Sequence, residues 1–282
     1  MSGADREKDQ GVLHMLKGLY TASTGMVNEQ RRVDILSNNM ANAATTGYKK
    51  EGSTSQAFKD VLAYKIKDRT EPYAARYEGI MNMGVKIGET YTDYSQGSFH
   101  ETGNTFDVAL SGKGFFNIEY TSKAMNGQGE ETSVKYTRDG TFTLNLKGEL
   151  VTKDGDYVLD TNGQYITLDT MLKYEIDRAG VIRIASPGAQ QGVEQATIAV
   201  TDFEDYDYLE KYGENLYTPV EGANQVEAVA QVYSGYLEAS NVQVVQEMVD
   251  LIAFTRAYES NQKIIQAYDQ TLDKAVNDLG KV

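Results

Sequence analysis

Cysteine and tryptophan are absent from the 282 residues, proline occurs three times and histidine twice. Without cysteine there is no disulfide, no thiolate nucleophile and no cysteine-bound zinc. The two histidines, His14 and His100, stand in no HExxH or paired spacing, which argues against a histidine-held metal. Positive charge is scarce as well: Lys+Arg 27 against Asp+Glu 41 leaves a net −14. That balance argues against nucleic acid, where a basic footprint dominates affinity, and against an anionic membrane surface. No apolar run approaches the ~20 residues of a membrane-spanning helix. The first ten residues are polar and mixed in charge, and Val12-Leu13-His14-Met15-Leu16 is too short for the apolar core of a secretory signal. If the protein leaves the cytoplasm, another route must carry it.

What is present is patterned in three stretches. Near the start, apolar residues recur at sevens, Val12, Leu19, Met26, Val33 and Met40, with Met15, Ala22, Leu36 and Ala43 widening the stripe. This predicts a helix with one narrow face to bury. Thr21-Ala22-Ser23-Thr24-Gly25 are mostly weak helix formers, and Gly25 alone costs about 1 kcal/mol relative to alanine, so the segment must be held by packing. The other end repeats the pattern more strictly through Leu237, Val244, Leu251, Tyr258, Ile265, Leu272 and Leu279, with Met248, Phe254, Tyr268 and Val276 between. Ser240 with Gln243 reads as a capping box, so a helix is expected from about Ser240 to Leu279. At 1.5 Å per residue it would be ~60 Å long, which favours a coiled coil or bundle.

The middle has a different period. Asp139-Gly140, Lys147-Gly148, Asp154-Gly155, Asn162-Gly163 and Gly180 punctuate runs such as Phe115–Tyr120, Thr141–Leu144, Tyr157–Leu159 and Tyr165–Leu168. Short β-rich runs split by such turns predict antiparallel hairpins. Residues 124–132 are expected to form an exposed loop. The fold class is therefore α+β: a discontinuous N- and C-terminal helical, coiled-coil-like domain flanking an all-β antiparallel middle domain.

Catalytic patterns fail one by one. His100 has no Gly-x-Ser-x-Gly elbow to serve. Gly112-Lys113 resembles the end of a phosphate loop, but Asp107 stands where its first glycine is required, and Asn117 replaces the third glycine of a dinucleotide fingerprint. Asp154, Asp156 and Asp160 lack the EF-hand spacing, and Asp202, Glu204, Asp205 and Asp207 read as a solvated face. No enzyme, cofactor, metal or small-molecule substrate is expected. The rival readings are a secreted β-rich adhesin or scaffold that oligomerises through its helices, and a hydrolase using Asp154, Asp156 or Asp205.

One stretch is distinctive: Leu36-Ser37-Asn38-Asn39-Met40-Ala41-Asn42-Ala43-Ala44-Thr45-Thr46-Gly47-Tyr48-Lys49. Physically it is a helix end, since Asn and Thr side chains compete with the helical ladder and Gly47 can turn left-handed. It resembles the N-terminal signature of the flagellar rod, hook and hook-associated axial protein family, here preceded by Leu16-Lys17-Gly18-Leu19-Tyr20-Thr21-Ala22-Ser23-Thr24-Gly25-Met26. Leu237-Glu238-Ala239-Ser240-Asn241-Val242, Glu247-Met248-Val249 and Arg256-Ala257-Tyr258-Glu259 resemble the family's closing motif. Between them, Phe106 to Phe116 and Tyr136 to Phe142 resemble its middle-domain entry.

The resemblance implies a basal-body subunit outside the cytoplasm, exported without a cleaved signal through the flagellar type III apparatus. Its partners would be copies of itself, other rod and hook proteins and that apparatus, with no nucleic acid. Length fits the rod members that carry a single β-domain. The expected layout is a leader at 1–14 without a folded role, an N-terminal helix at 15–50 and an extended connector at 51–95. A β-domain at 96–232 and a C-terminal helix at 233–282 complete it. The expected assembly seam is Leu19, Met26, Val33, Met40, Val244, Met248, Leu251, Tyr258, Ile265, Leu272 and Leu279. The motif residues are Asn38, Asn39, Ala41, Asn42, Thr46, Gly47, Tyr48, Lys49, Ser240, Asn241, Val242, Glu247 and Met248.

Overall fold

The computed structural model describes residues 3–65, 76–122, 131–185 and 192–279. It divides into two units. A helical unit comprises the chain to Met40, Glu51–Thr92 and the chain from Val244; a β unit comprises Ala41–Lys50 and Asp93–Gln243. The antiparallel β-rich middle between two terminal helices matches the α+β class.

In the helical unit, helix α1 spans Gly3–Ala41 and helix α2 spans Val244–Leu279. Helix α1 begins inside the segment expected to lack a folded role. Helix α2 opens four residues later than its capping box predicts. Ser240 does not cap it: its Oγ accepts from the Val242 amide, a local turn that competes with the helical ladder. The stretch expected to be an extended connector forms antiparallel ladders, Glu51–Ala57 with Val85–Thr92 and Val61–Lys65 with Arg76–Met81. Glu51–Ala57 is partly or fully exposed and carries almost no apolar alternation, which is why its sequence does not read as a strand.

The β unit is organised by a nine-stranded sheet among the described residues. Its centre is the hairpin of Phe115–Ser122 with Glu131–Thr137; most of the expected loop at 124–132 lies outside the described residues. Alternation puts Phe116 and Ile118 on one face, in a core with Val108, Leu110, Phe142, Leu150, Ile182 and Val232. Phe115 points the other way, into a second cluster with Tyr136, Phe203, Leu209 and Tyr217.

Gly148, Gly155, Gly163 and Gly180 all adopt positive φ at their turns, as the turn signals require. Asp139-Gly140 is the exception. It joins Glu131–Thr137 to Phe142–Leu144, strands that do not pair with each other, and is not a hairpin turn. Gly140 is needed because its missing Cβ would collide with the Val108 carbonyl, while its own carbonyl accepts from the Val108 amide at 3.0 Å. The residues expected to begin the terminal helix instead form two strands of this unit. Ala230–Ser234 pairs with Val108–Gly112, and Tyr236–Glu238 pairs with Phe99–Glu101.

Candidate assembly site

In the helical unit, α1 and α2 meet along a seam that steps by sevens in opposite directions. Gly18 faces Tyr268, Gly25 faces Asn261, Arg32 lies 3.7 Å from the Phe254 ring centroid, and Asn39 donates to Glu247 at 3.3 Å. A Cβ at Gly18 would fall on the Tyr268 ring, and one at Gly25 would lie 3.0 Å from Asn261 Nδ2. The small residues that weaken α1 as an isolated helix are therefore what lets α2 approach. On α1 the expected seam residues Leu19, Met26, Val33 and Met40 lie one position from these contacts, and on α2 Leu251, Tyr258, Ile265 and Leu272 lie three or four residues from them; all eight are half-buried. Val244 and Met248 are exposed. Leu279 ends α2, its side chain outside the described residues, and the side chain of His14 is likewise outside them.

Asn39 does the work of a peptide group in this unit. Its Oδ1 accepts from the Glu51 amide at 2.9 Å and its Nδ2 donates to the Glu51 carbonyl at 2.8 Å. The same Nδ2 reaches Glu247, which is also buried. Asn38 and Ala41 are exposed.

The rest of the motif belongs to the β unit, where the two ends of the chain are clasped. Asn42 accepts from Thr45, Thr46 donates to Asp139 at 2.8 Å, and Gly47 turns left-handed at φ 68. A Cβ on Gly47 would collide with the backbone of Arg138 and Asp139, so close approach and positive φ both require glycine there. The Gly47 amide donates to the Glu238 carbonyl at 2.8 Å. Tyr48 is fully buried, with the Lys211 ammonium 4.0 Å from its ring centroid. Asn241 completes the clasp, accepting from the Lys50 amide and donating to the Asp93 carbonyl, each at 2.8 Å. Ser240 and Val242 are half-buried beside it.

At the centre of the clasp lies a buried ion cluster. Lys49 Nζ donates to Glu238 Oε1 at 2.6 Å and to the Ser95 carbonyl at 2.8 Å. Arg138 donates to Glu238 Oε2 at 3.3 Å and to the Gly112 carbonyl at 2.7 Å. The Gly97 amide also donates to Glu238 Oε1, at 2.9 Å. Burial pushes the Lys49 ammonium below its ordinary value, although Glu238 pulls the other way. Glu238 and Arg138 lie within the family-like stretches of the sequence, but their pairing is not foreseen there. Their signal was a charge set inside an apolar context, Leu237-Glu238-Ala239 and Tyr136-Thr137-Arg138, which has to be paired if the strand is buried.

Three of the clustered carboxylates are engaged in local structure. Asp160 accepts from the Thr197 amide and from Asn162, Asp202 accepts from the Tyr206 hydroxyl, and Asp205 caps the short turn at Tyr206–Tyr208.

Comparison with known proteins matches three regions in chain order. Residues 19–49 match the flagella basal body rod protein family, 109–184 the flagellar hook protein FlgE/F/G D1 domain, and 233–279 the flagellar basal body rod FlgEFG protein C-terminal family. The flagellar basal-body rod protein FlgG of Buchnera aphidicola is 30% identical, covering 92% of this chain and 98% of its own length. The flagellar hook-basal body complex protein FlhO of Bacillus subtilis is 34% identical, covering 95% of this chain and 100% of its own. The flagellar basal-body rod protein FlgF of Caulobacter vibrioides is 35% identical with the same coverage.

Proposed function

The chain belongs to the flagellar basal-body rod protein family, and from that premise we propose that it is exported through the flagellar type III apparatus and polymerises helically through its terminal helices to transmit torque. It works by packing, with copies of itself and with other rod and hook proteins, and performs no catalysis.

The observation that carries this reading is that α2 is apolar on two faces over its first turns. One face holds Leu251, Phe254, Tyr258 and Ile265, half-buried in the helical unit. The other presents Val245 at 77%, Val249 at 55% and Ile252 at 51% exposure, with Met248 beside them. An exposed apolar patch of this kind marks a protein interface. Among the described residues of the helical unit only the first face is covered; the cover for the second is supplied by a neighbouring subunit in a coiled-coil-like layer.

The test is Val249→Asp with Ile252→Asp, which spares the face turned toward α1. Cells carrying the pair should not swim, and their isolated basal bodies should end short of the hook, while the purified protein melts as the parent does. Normal swimming would overturn the proposal.

A further inference from the structure

We propose that the Lys49–Glu238–Arg138 cluster is a late-closing latch, so that the β unit reaches its native state only when Glu238 enters between two cations already in place. Glu238 lies 189 residues from Lys49 and 100 from Arg138 along the chain. By contrast, the central hairpin of Phe115–Ser122 and Glu131–Thr137 is sequence-local. Loop-closure entropy delays the distant contacts relative to the local ones. The ladder that delivers Glu238 is only three residues long on each side, Tyr236–Glu238 with Phe99–Glu101, so it has little affinity of its own to lead the folding.

The charges make the last step decisive. Before Glu238 arrives, the acceptors of Lys49 and Arg138 among the described residues are the Ser95 and Gly112 carbonyls, and Asp93 acts on Lys49 through space rather than by a bond. Two buried cations without a bonded carboxylate are strongly unfavourable, so that corner stays hydrated and open. Even when closed, one carboxylate is ion-paired to both cations, and Arg138 Nε has no acceptor among the described residues. Its stability therefore depends on Glu238 in a way that an apolar core position does not depend on any one residue.

The value of such a latch to the assembly rests on the exported-subunit reading: a chain delivered extended would keep its β unit open until its C-terminal segment has arrived. The physical claim is tested separately, on the purified full-length chain, by refolding and unfolding in urea followed through tyrosine fluorescence and near-UV circular dichroism. A contact that closes after the transition state affects the unfolding rate alone. Glu238→Gln should therefore unfold roughly tenfold faster or more, with refolding changed by less than about twofold. Ile118→Val, in the central hairpin, is the control expected to slow refolding. If Glu238→Gln refolds more slowly by most of its total loss in stability, the latch forms early and the proposal is overturned. Should that variant not fold, Glu238→Asp, which keeps the charge but shortens its reach, is read by the same criterion. Failure of this kinetic test would leave the rod reading standing. Normal swimming of the α2 variants would remove that reading without touching the latch.

Discussion

The two units of this chain bury different things. In the β unit, apolar side chains from Val108 to Val232 form one closed cluster, with a second around Phe115 and Tyr217. Among the described residues of the helical unit, the one fully buried apolar side chain is Ala22, and it is accompanied by Asn28, Asn39 and Glu247. Two helices and narrow ladders have too little interior to hide a large residue, so their apolar stripes end half-covered and their deepest positions hold hydrogen-bonded polar groups. The β unit has an apolar core of its own, whereas the helical unit leaves its apolar stripes half-covered and is specified by register.

That contrast can be broken in four ways. The largest effect is expected from Leu251→Asp, which sets a charge into the half-buried face of α2. Rod assembly and swimming should be lost while the thermal melt of the β unit is unchanged, and a parallel loss of that melt would show the units to be inseparable. Next, Phe116→Ala should destabilise the β unit by about 3–5 kcal/mol, whereas Phe254→Ala should remove only about 1 kcal/mol from the helical unit. Equal losses in urea melts would show that the two units are packed alike.

Smaller is Asn39→Ala, which strips both bonds to the Glu51 backbone and leaves Glu247 buried with one fewer donor. A loss of about 1–3 kcal/mol is expected in the helical unit. Amide exchange should show it as faster exchange at Glu51 and the start of α2, and unchanged protection at both places would refute the role given to this side chain.

The smallest effect is electrostatic. Burial tends to raise the Asp160 carboxyl, but the Thr197 amide, the Asn162 side chain and the Thr161 amide and hydroxyl together hold it below the ordinary carboxylate value. Because the folded value lies below the unfolded one of about 3.9, this stabilisation is complete above about pH 5. It is lost as the pH falls through the folded value. Asp160→Asn should therefore flatten the acid side of the β unit's melting profile below about pH 5. Superimposable acid profiles would refute this.

Much of the architecture was legible because it is periodic. Sevens of apolar residues require a helix with one face, and glycines such as Gly148 and Gly163 between short alternating runs require hairpins, whatever the rest of the chain does. The motif from Asn38 to Lys49 could likewise be read as a helix end, since Gly47 has only one inexpensive way to turn. Asp139-Gly140 was misread because the same dipeptide serves a tight turn and a close approach of two backbones. Ser240 was misread because a capping box and an isolated turn use the same hydroxyl.

By itself, then, the sequence determined which segments are helical, where the hairpins turn and that each end carries a stripe needing cover. These follow from local sterics and from the period of burial. Which residues meet was decided only by the tertiary structure. It set Gly18, Gly25, Arg32 and Asn39 against Tyr268, Asn261, Phe254 and Glu247. It also drew Lys49, Arg138 and Glu238 into one buried cluster. Pairings across so much chain depend on register and packing, and no local preference encodes them.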